Sequence, residues 1–233
     1  MTELPDLSLA FHEGQVRVHH DHPDESETQE IVLLMRHCIA DLVVPTGRVV
    51  ACDPLGEVRD APFARRVPPG RYPIYVTIVH RKESEEFTPG GDSAFAVLQL
   101  RDGHPERWEI ALCEGQAADD WRDFYCVDSG VGCFMDVEAR DTLTRLMRDD
   151  PRFNPPSRDE TLPFIRALYL TPNPLADEIG IPCVDFPLDT ESGPNCVMFT
   201  TGRYGDGDYT SYWGLDRHDV PLCLVTNFDA LSL

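Results

Sequence analysis

Positive charge is what this chain has least of. Lys82 is its one lysine, and 20 basic side chains stand against 41 acidic ones, a formal net charge of −21 over 233 residues. A protein that neutralises phosphates needs clustered Lys and Arg, so nucleic acid is excluded as an expected partner. The same field repels anionic membrane surfaces and draws in cations and basic protein surfaces. Apolar runs are short as well: none approaches the roughly 20 residues of a membrane-spanning helix. The opening Met1-Thr2-Glu3-Leu4-Pro5-Asp6 has neither the basic nor the apolar stretch of a signal peptide, and a cytoplasmic protein is expected. The eight cysteines, at 38, 52, 113, 126, 133, 183, 196 and 223, contain no C-x-x-C pair, which argues against structural zinc. Most lie in apolar runs such as Leu222-Cys223-Leu224 and read as buried thiols acting as small hydrophobes. The chain has no internal repeat and no low-complexity tract.

What is present is the material for a core: 42% apolar residues, with 11 Phe, 7 Tyr and 3 Trp. The expectation is a single α+β domain dominated by antiparallel β-sheet, with two or three short helices. Residues 1–42 read as an N-terminal strand, loop and helix packed on a β-rich unit over 43–233. Gln15 to His19 alternates like a strand. Ser26-x-x-Gln29 has the form of a capping box, and Ile31, Leu34, Met35, Cys38 and Ile39 recur at helical spacing. The spacing predicts a helix over 27–39, with the start of a buried strand at Ile31-Val32-Leu33-Leu34 as the alternative. Alternation at Tyr72–Val79, Phe95–Gln99 and Trp108–Leu112 predicts three strands in an antiparallel meander. Two short apolar stretches bent at Asp128-Ser129-Gly130 precede a predicted helix over 138–149. The stretch 150–194 carries nine prolines and reads as an insertion or cover around one short helix near 160–169. Strands return at Cys196–Thr200, Tyr209–Trp213 and Leu222–Val225.

Three segments carry a resemblance: Thr46-Gly47-Arg48-Val49-Val50-Ala51-Cys52-Asp53-Pro54-Leu55, Val127-Asp128-Ser129-Gly130-Val131-Gly132-Cys133-Phe134-Met135-Asp136, and Gly205-Asp206-Gly207-Asp208-Tyr209 continuing to Tyr212-Trp213-Gly214-Leu215-Asp216. With Pro69-Gly70-Arg71-Tyr72-Pro73 and Trp108-Glu109-Ile110-Ala111-Leu112 between them, the order resembles an uncharacterised bacterial family, the domain of unknown function numbered four-two-four-one, over about residues 43–229. The resemblance implies no activity and no catalytic residues. The chain departs from the pattern at Asn227, where the family has Asp, and at Tyr204, where it tends to have Trp.

The candidate chemistry lies mainly in these segments. Asp206, Asp208 and Asp216, with Asp128 and Asp136, are the expected ligands of a hard divalent cation, calcium or magnesium, because Asp on Gly-rich turns brings several oxygens together. Turn-forming preference explains the same residues without a metal. The spacing is not that of an EF-hand: counting from Asp206, the required glycine falls on Ser211 and the terminal glutamate on Arg217. Asp128, Asp136 and Asp206 are also the suspects for paired-carboxylate glycosidic chemistry. His19, His20 and His22, with His12, form a second metal candidate whose alternative is an exposed polar loop. Arg59, Arg65, Arg66, Arg71, Arg81 and Lys82 either hold a small anion or pair with the surplus carboxylates. Ser129 lacks the flanking glycines of a nucleophile elbow, and Gly202-x-x-Gly205-x-Gly207 is neither a Rossmann fingerprint nor a P-loop. Tyr204, Tyr209, Tyr212 and Trp213 among acids suit a surface that recognises a basic protein patch or a sugar; strand packing is the alternative. Binding through Asp206, Asp208, Tyr209, Tyr212, Trp213 and Asp216, in the manner of an immunity or accessory protein, is the expected function. The competing class is a metal-dependent hydrolase using the aspartates.

Overall fold

The computed structural model describes residues 7–20, 28–56, 61–83, 86–88, 90–117, 124–154, 161–188 and 193–231. A 3-10 turn (Leu7–Phe11) leads into β1 (Gly14–His20), β2 (Thr28–Val44), β3 (Val49–Cys52) and β4 (Gly70–His80). A small hairpin of β5 (Lys82–Glu83) and β6 (Glu86–Phe87) precedes β7 (Asp92–Gln99), β8 (Arg107–Ile110), β9 (Phe124–Val127) and β10 (Val131–Asp136). Next come α1 (Val137–Asp149), α2 (Pro163–Ile165) running into a π-turn (Arg166–Leu170), and α3 (Pro174–Ile179). The chain closes with β11 (Cys183–Pro187), β12 (Asn195–Thr200), β13 (Gly207–Leu215) and β14 (Pro221–Asn227). Antiparallel sheet dominates this single domain, and its helices are few and short.

Two sheets face each other. The larger runs β1-β2-β4-β7-β14-β13-β8, with β9 also on β13; the smaller runs β11-β12-β10-β3. Side chains alternate between layers as a pleat requires. On β12, Val197 and Phe199 enter the core between the sheets, and Cys196 and Met198 enter the core beneath α1. On β3, Val49 and Ala51 point to the first core and Val50 and Cys52 to the second. A third core covers the outer face of the larger sheet, where Leu7 and Ala10 of the 3-10 turn pack on Val32, Leu34, Val97 and Val225. Strands buried on both faces read as continuous apolar runs, which is why Val131–Met135 has no polar position.

The helix expected over 27–39 is strand. β2 pairs with β1 over Thr28–Leu34 and with β4 over Leu33–Val44, and ladder bonds on both edges outweigh a helical repeat of apolar residues. A bulge between Cys38 and Ala40 inverts the alternation. Val32 and Leu34 therefore serve the outer core, and Leu42 and Val44 serve the inner one. β2 also crosses the expected boundary at 42/43, so β1 and β2 are the end strands of the same large sheet.

The meander is also rearranged. β4 and β7 are antiparallel neighbours, but β14 lies next to β7, and β8 sits two strands further out on β13. The Pro-rich stretch supplies α2, the π-turn, α3 and the edge strand β11. Of the eight thiols, Cys52, Cys133, Cys183, Cys196 and Cys223 are buried, Cys113 is half-buried, and Cys38 and Cys126 are exposed.

Candidate functional site

The three turn segments singled out in the sequence converge at one end of the sandwich, and Asp53 is their knot. Its carboxylate, 7% exposed, sits just past β3. Oδ1 accepts from the N–H groups of Leu55 and Gly56 at 2.8 and 3.2 Å, closing the Asp53-Pro54 turn. Oδ2 accepts from the N–H groups of Asp128 and Ser129 at 3.0 and 2.9 Å, and the Ser129 hydroxyl donates to Oδ1 at 2.8 Å. The turn that carries the chain from β9 in one sheet to β10 in the other is thereby fastened to β3.

The third segment is held by backbone proximity. Gly130 (φ 70°) and Gly205 (φ 80°) lie face to face, so that a Cβ on Gly205 would stand 3.1 Å from the Gly130 Cα. Only glycine combines that conformation with that approach. The Gly205 carbonyl accepts from the Thr201 hydroxyl at 2.6 Å and the Tyr209 hydroxyl at 2.9 Å, and the Thr201 N–H donates to the Gly130 carbonyl at 3.1 Å.

Carboxylates crown this junction. Asp208 on β13 is directly opposite Cys126 on β9, and Asp128 lies two residues beyond Cys126 on the same face. The Cys126 thiol donates to Asp128 Oδ1 at 3.5 Å. Desolvation first, then the hydrogen bonds to Asp208 and Asp128, push this thiol up to about 11, because a thiolate there would face two carboxylates. Asp128, Asp206 and Asp208 are all exposed. Beside them Tyr204 is 85% exposed, with the Arg203 guanidinium 5.8 Å from its ring centre.

The other expected site residues lie elsewhere. Asp136 is fully buried at the far end of β10, about 20 Å of strand from Asp128. There it caps α1 by accepting from the Glu138 N–H at 2.9 Å, and it also accepts from the Thr46 N–H and hydroxyl. Asp216 lies just past the far end of β13, about 26 Å of strand from Asp208 and further from Asp206. It accepts from the N–H groups of Val220 and His218, bonds that hold its carboxyl below the usual range. The five aspartates expected around one cation thus fall into three places. Among the described residues no group of three or more His, Cys, Asp or Glu side chains is arranged to hold a metal ion.

Tyr209, Tyr212 and Trp213, expected in a recognition surface, are 4%, 8% and 1% exposed and pack in the cores. Trp213 meets Phe63 edge-on at 5.9 Å, and Tyr209 meets Phe228 edge-on at 5.0 Å. From Ser211 to Leu215 β13 is buried on both faces, so alternation leaves no wet side there. Of the histidine candidate, His12 is exposed before β1, His19 and His20 end β1, and His22 lies outside the described residues. Arg65 pairs with Glu109 at 2.9 Å and Arg81 with Asp92 at 2.7 Å, and Arg59 lies outside the described residues. Asp53 and Cys126 were not among the expected site residues. The Asp-Pro-x-Gly turn at 53–56 was the visible signal for the first, and nothing in the spacing marked the second.

No helix among the described residues is long and apolar enough to cross a membrane. No curated protein and no solved structure matches the chain. Residues 42–226, which include all three converging segments, match the family described as Protein of unknown function (DUF4241). The chain belongs to that family, and the junction around Asp53 is what its three turn segments build here.

Proposed function

We propose that this protein binds a cationic protein surface and catalyses no reaction, and that Asp128, Asp206 and Asp208, with the Tyr204 ring beside them, form the contact. One observation carries the reading: Asp53, Ser129, Thr201 and the Tyr209 hydroxyl are consumed in holding the turns together, and what the junction presents at exposed positions among the described residues is three carboxylates, the Cys126 thiol, and the Tyr204 ring with Arg203 against it. Exposed carboxylates attract Arg and Lys, and the net charge of −21 extends that attraction beyond the patch. The Tyr204 ring at the rim, which already meets the Arg203 guanidinium, adds contact area. Ser129 donates its hydroxyl to a carboxylate and among the described residues no histidine is bonded to it, which does not favour nucleophilic chemistry. We place the encounter in the cytoplasm, the compartment that keeps exposed cysteines such as Cys38 and Cys126 reduced.

The test is capture from lysate with the wild-type chain and with Asp128→Lys/Asp206→Lys/Asp208→Lys. All three positions are exposed, so the variant retains the wild-type fold. The expected result is basic proteins retained by the wild type, released by raised salt and absent from the variant. Capture that is the same on both chains would overturn the proposal.

A further inference from the structure

A second surface lies where the Pro-rich stretch wraps the smaller sheet. The π-turn and α3 bracket an open cleft of about 630 Å³. Phe164 and Leu168 face inward and are buried beneath it, with Phe164 against Phe153 and Phe186 at 5.8 and 6.3 Å. With those two side chains rooted and Pro172 ending the turn, the next two residues have no inward position left. Tyr169 and Leu170 accordingly stand 46% and 61% exposed. They are two of the five large hydrophobic side chains exposed among the described residues, they are adjacent, and both line the cleft. π-Turns are uncommon and concentrate at functional sites.

The chemistry of the lining narrows the occupant. Leu168 and Ile181 give the cleft an apolar floor, Tyr169, Leu170 and Pro172 give it an apolar lip, and Asp177 provides the one charge among the described lining residues. Among the described residues no Lys or Arg lines the cleft. Such a cavity accepts an apolar side chain and favours cations beside it, while an anionic ligand meets only repulsion from Asp177 and from the net charge of the chain.

We infer that this cleft receives an apolar side chain from an extended segment of a partner protein whose flanking residues are Lys or Arg and lie against Asp177. The inference takes one thing from the proposed function, that the partner is cationic. It assigns the apolar anchor of the contact to a different face from the carboxylates of the junction.

Selection from a random dodecapeptide phage library on the immobilised full chain tests it. The enriched peptides are then synthesised and titrated against wild type, Tyr169→Ser/Leu170→Ser, Asp177→Asn and Asp128→Asn/Asp206→Asn/Asp208→Asn. Tyr169 and Leu170 are exposed, so thermal melts of their variants match wild type, and the single Leu170→Ser replaces the double if it does not. The expected result is peptides with one apolar anchor between basic residues, weakened about tenfold or more by Tyr169→Ser/Leu170→Ser and a few-fold by Asp177→Asn. Basic peptides that bind Tyr169→Ser/Leu170→Ser as well as wild type but lose affinity for the junction variant would overturn the cleft and leave the junction reading standing. Enrichment of neutral or acidic peptides would overturn both, and no enrichment would overturn the cleft alone.

Discussion

Asp53 and Ser129, 76 residues apart in the chain, are joined by two bonds: the Ser129 N–H donates to Oδ2 at 2.9 Å and its hydroxyl donates to Oδ1 at 2.8 Å. Asp53→Ala would strand the N–H groups of Leu55, Gly56, Asp128 and Ser129 at a position with little access to water. The expected cost is about 3 kcal/mol, and Ser129→Ala, which removes the hydroxyl's bond to Asp53 and the longer one it accepts from the Val131 N–H, costs about 1–2 kcal/mol. Chemical denaturation of the three proteins measures both values. A loss for Asp53→Ala no greater than for Ser129→Ala would mean that the carboxylate does not hold the turns together.

The strands were legible in the sequence where a layer imposes a pattern. Tyr72–Val79 alternates against two different environments, and Cys196–Phe199 is apolar throughout because both its faces are covered. Neighbour relations were not legible, since nothing in Phe95–Gln99 or Trp108–Leu112 says that β14 and β13 separate them. β2 misled because Ile31, Leu34, Met35, Cys38 and Ile39 fit a helical repeat, and the bulge at Cys38 broke the alternation that would have identified a strand. At the site, the three turn segments were visible one by one. Their meeting depends on Asp53 bonding a turn 75 residues further along the chain and on Gly130 and Gly205 approaching each other, neither of which local spacing can show.

Asp136 serves structure rather than cation binding. Its oxygens take the Glu138 N–H and both donors of Thr46, and the side chain is fully buried. Asp136→Ala is expected to cost about 2–3 kcal/mol through the lost helix cap and the stranded Thr46 donors. Because Asp136 and Asp216 lie far from Asp128, Asp206 and Asp208, treating the wild type with EDTA and then excess calcium or magnesium leaves Tm unchanged. An ion bound at 100 times its Kd would add about 2.7 kcal/mol and be seen in the same melt.

The Cys126 thiol provides a reporter inside the proposed contact. With its pKa pushed up to about 11, it is exposed yet slow to alkylate at pH 8, and the rate climbs until the pH passes that value. Asp128→Asn and Asp208→Asn each remove a carboxylate that disfavours the thiolate, so each lowers the pKa and speeds alkylation at pH 8. Iodoacetamide kinetics on a Cys38→Ser background, which leaves Cys126 as the one fully exposed thiol among the described residues, reads the effect directly. A rate at pH 8 equal to that of a free cysteine would contradict the arrangement.

Asn227 and Asp229 are joined by two bonds: the Asn227 Nδ2 donates to Asp229 Oδ1 at 2.7 Å, while its Oδ1 accepts from the Asp229 N–H at 3.1 Å. Asn227 is 8% exposed, and surrounding protein already pushes the Asp229 carboxyl up from its usual range. Asn227→Asp replaces the donor with a second carboxylate, and both folded-state values then lie above their unfolded ones. Groups raised in this way contribute stability that is fully present below the unfolded carboxylate range and is lost as pH rises through the folded values. The variant is therefore expected to be less stable than wild type at pH 7 by about 1–2 kcal/mol, a figure kept small because Asp229 reaches water. The gap closes as the pH falls toward 3. Melts of both proteins between pH 3 and 8 test this, and a deficit independent of pH would assign the cost to packing rather than to the facing charges.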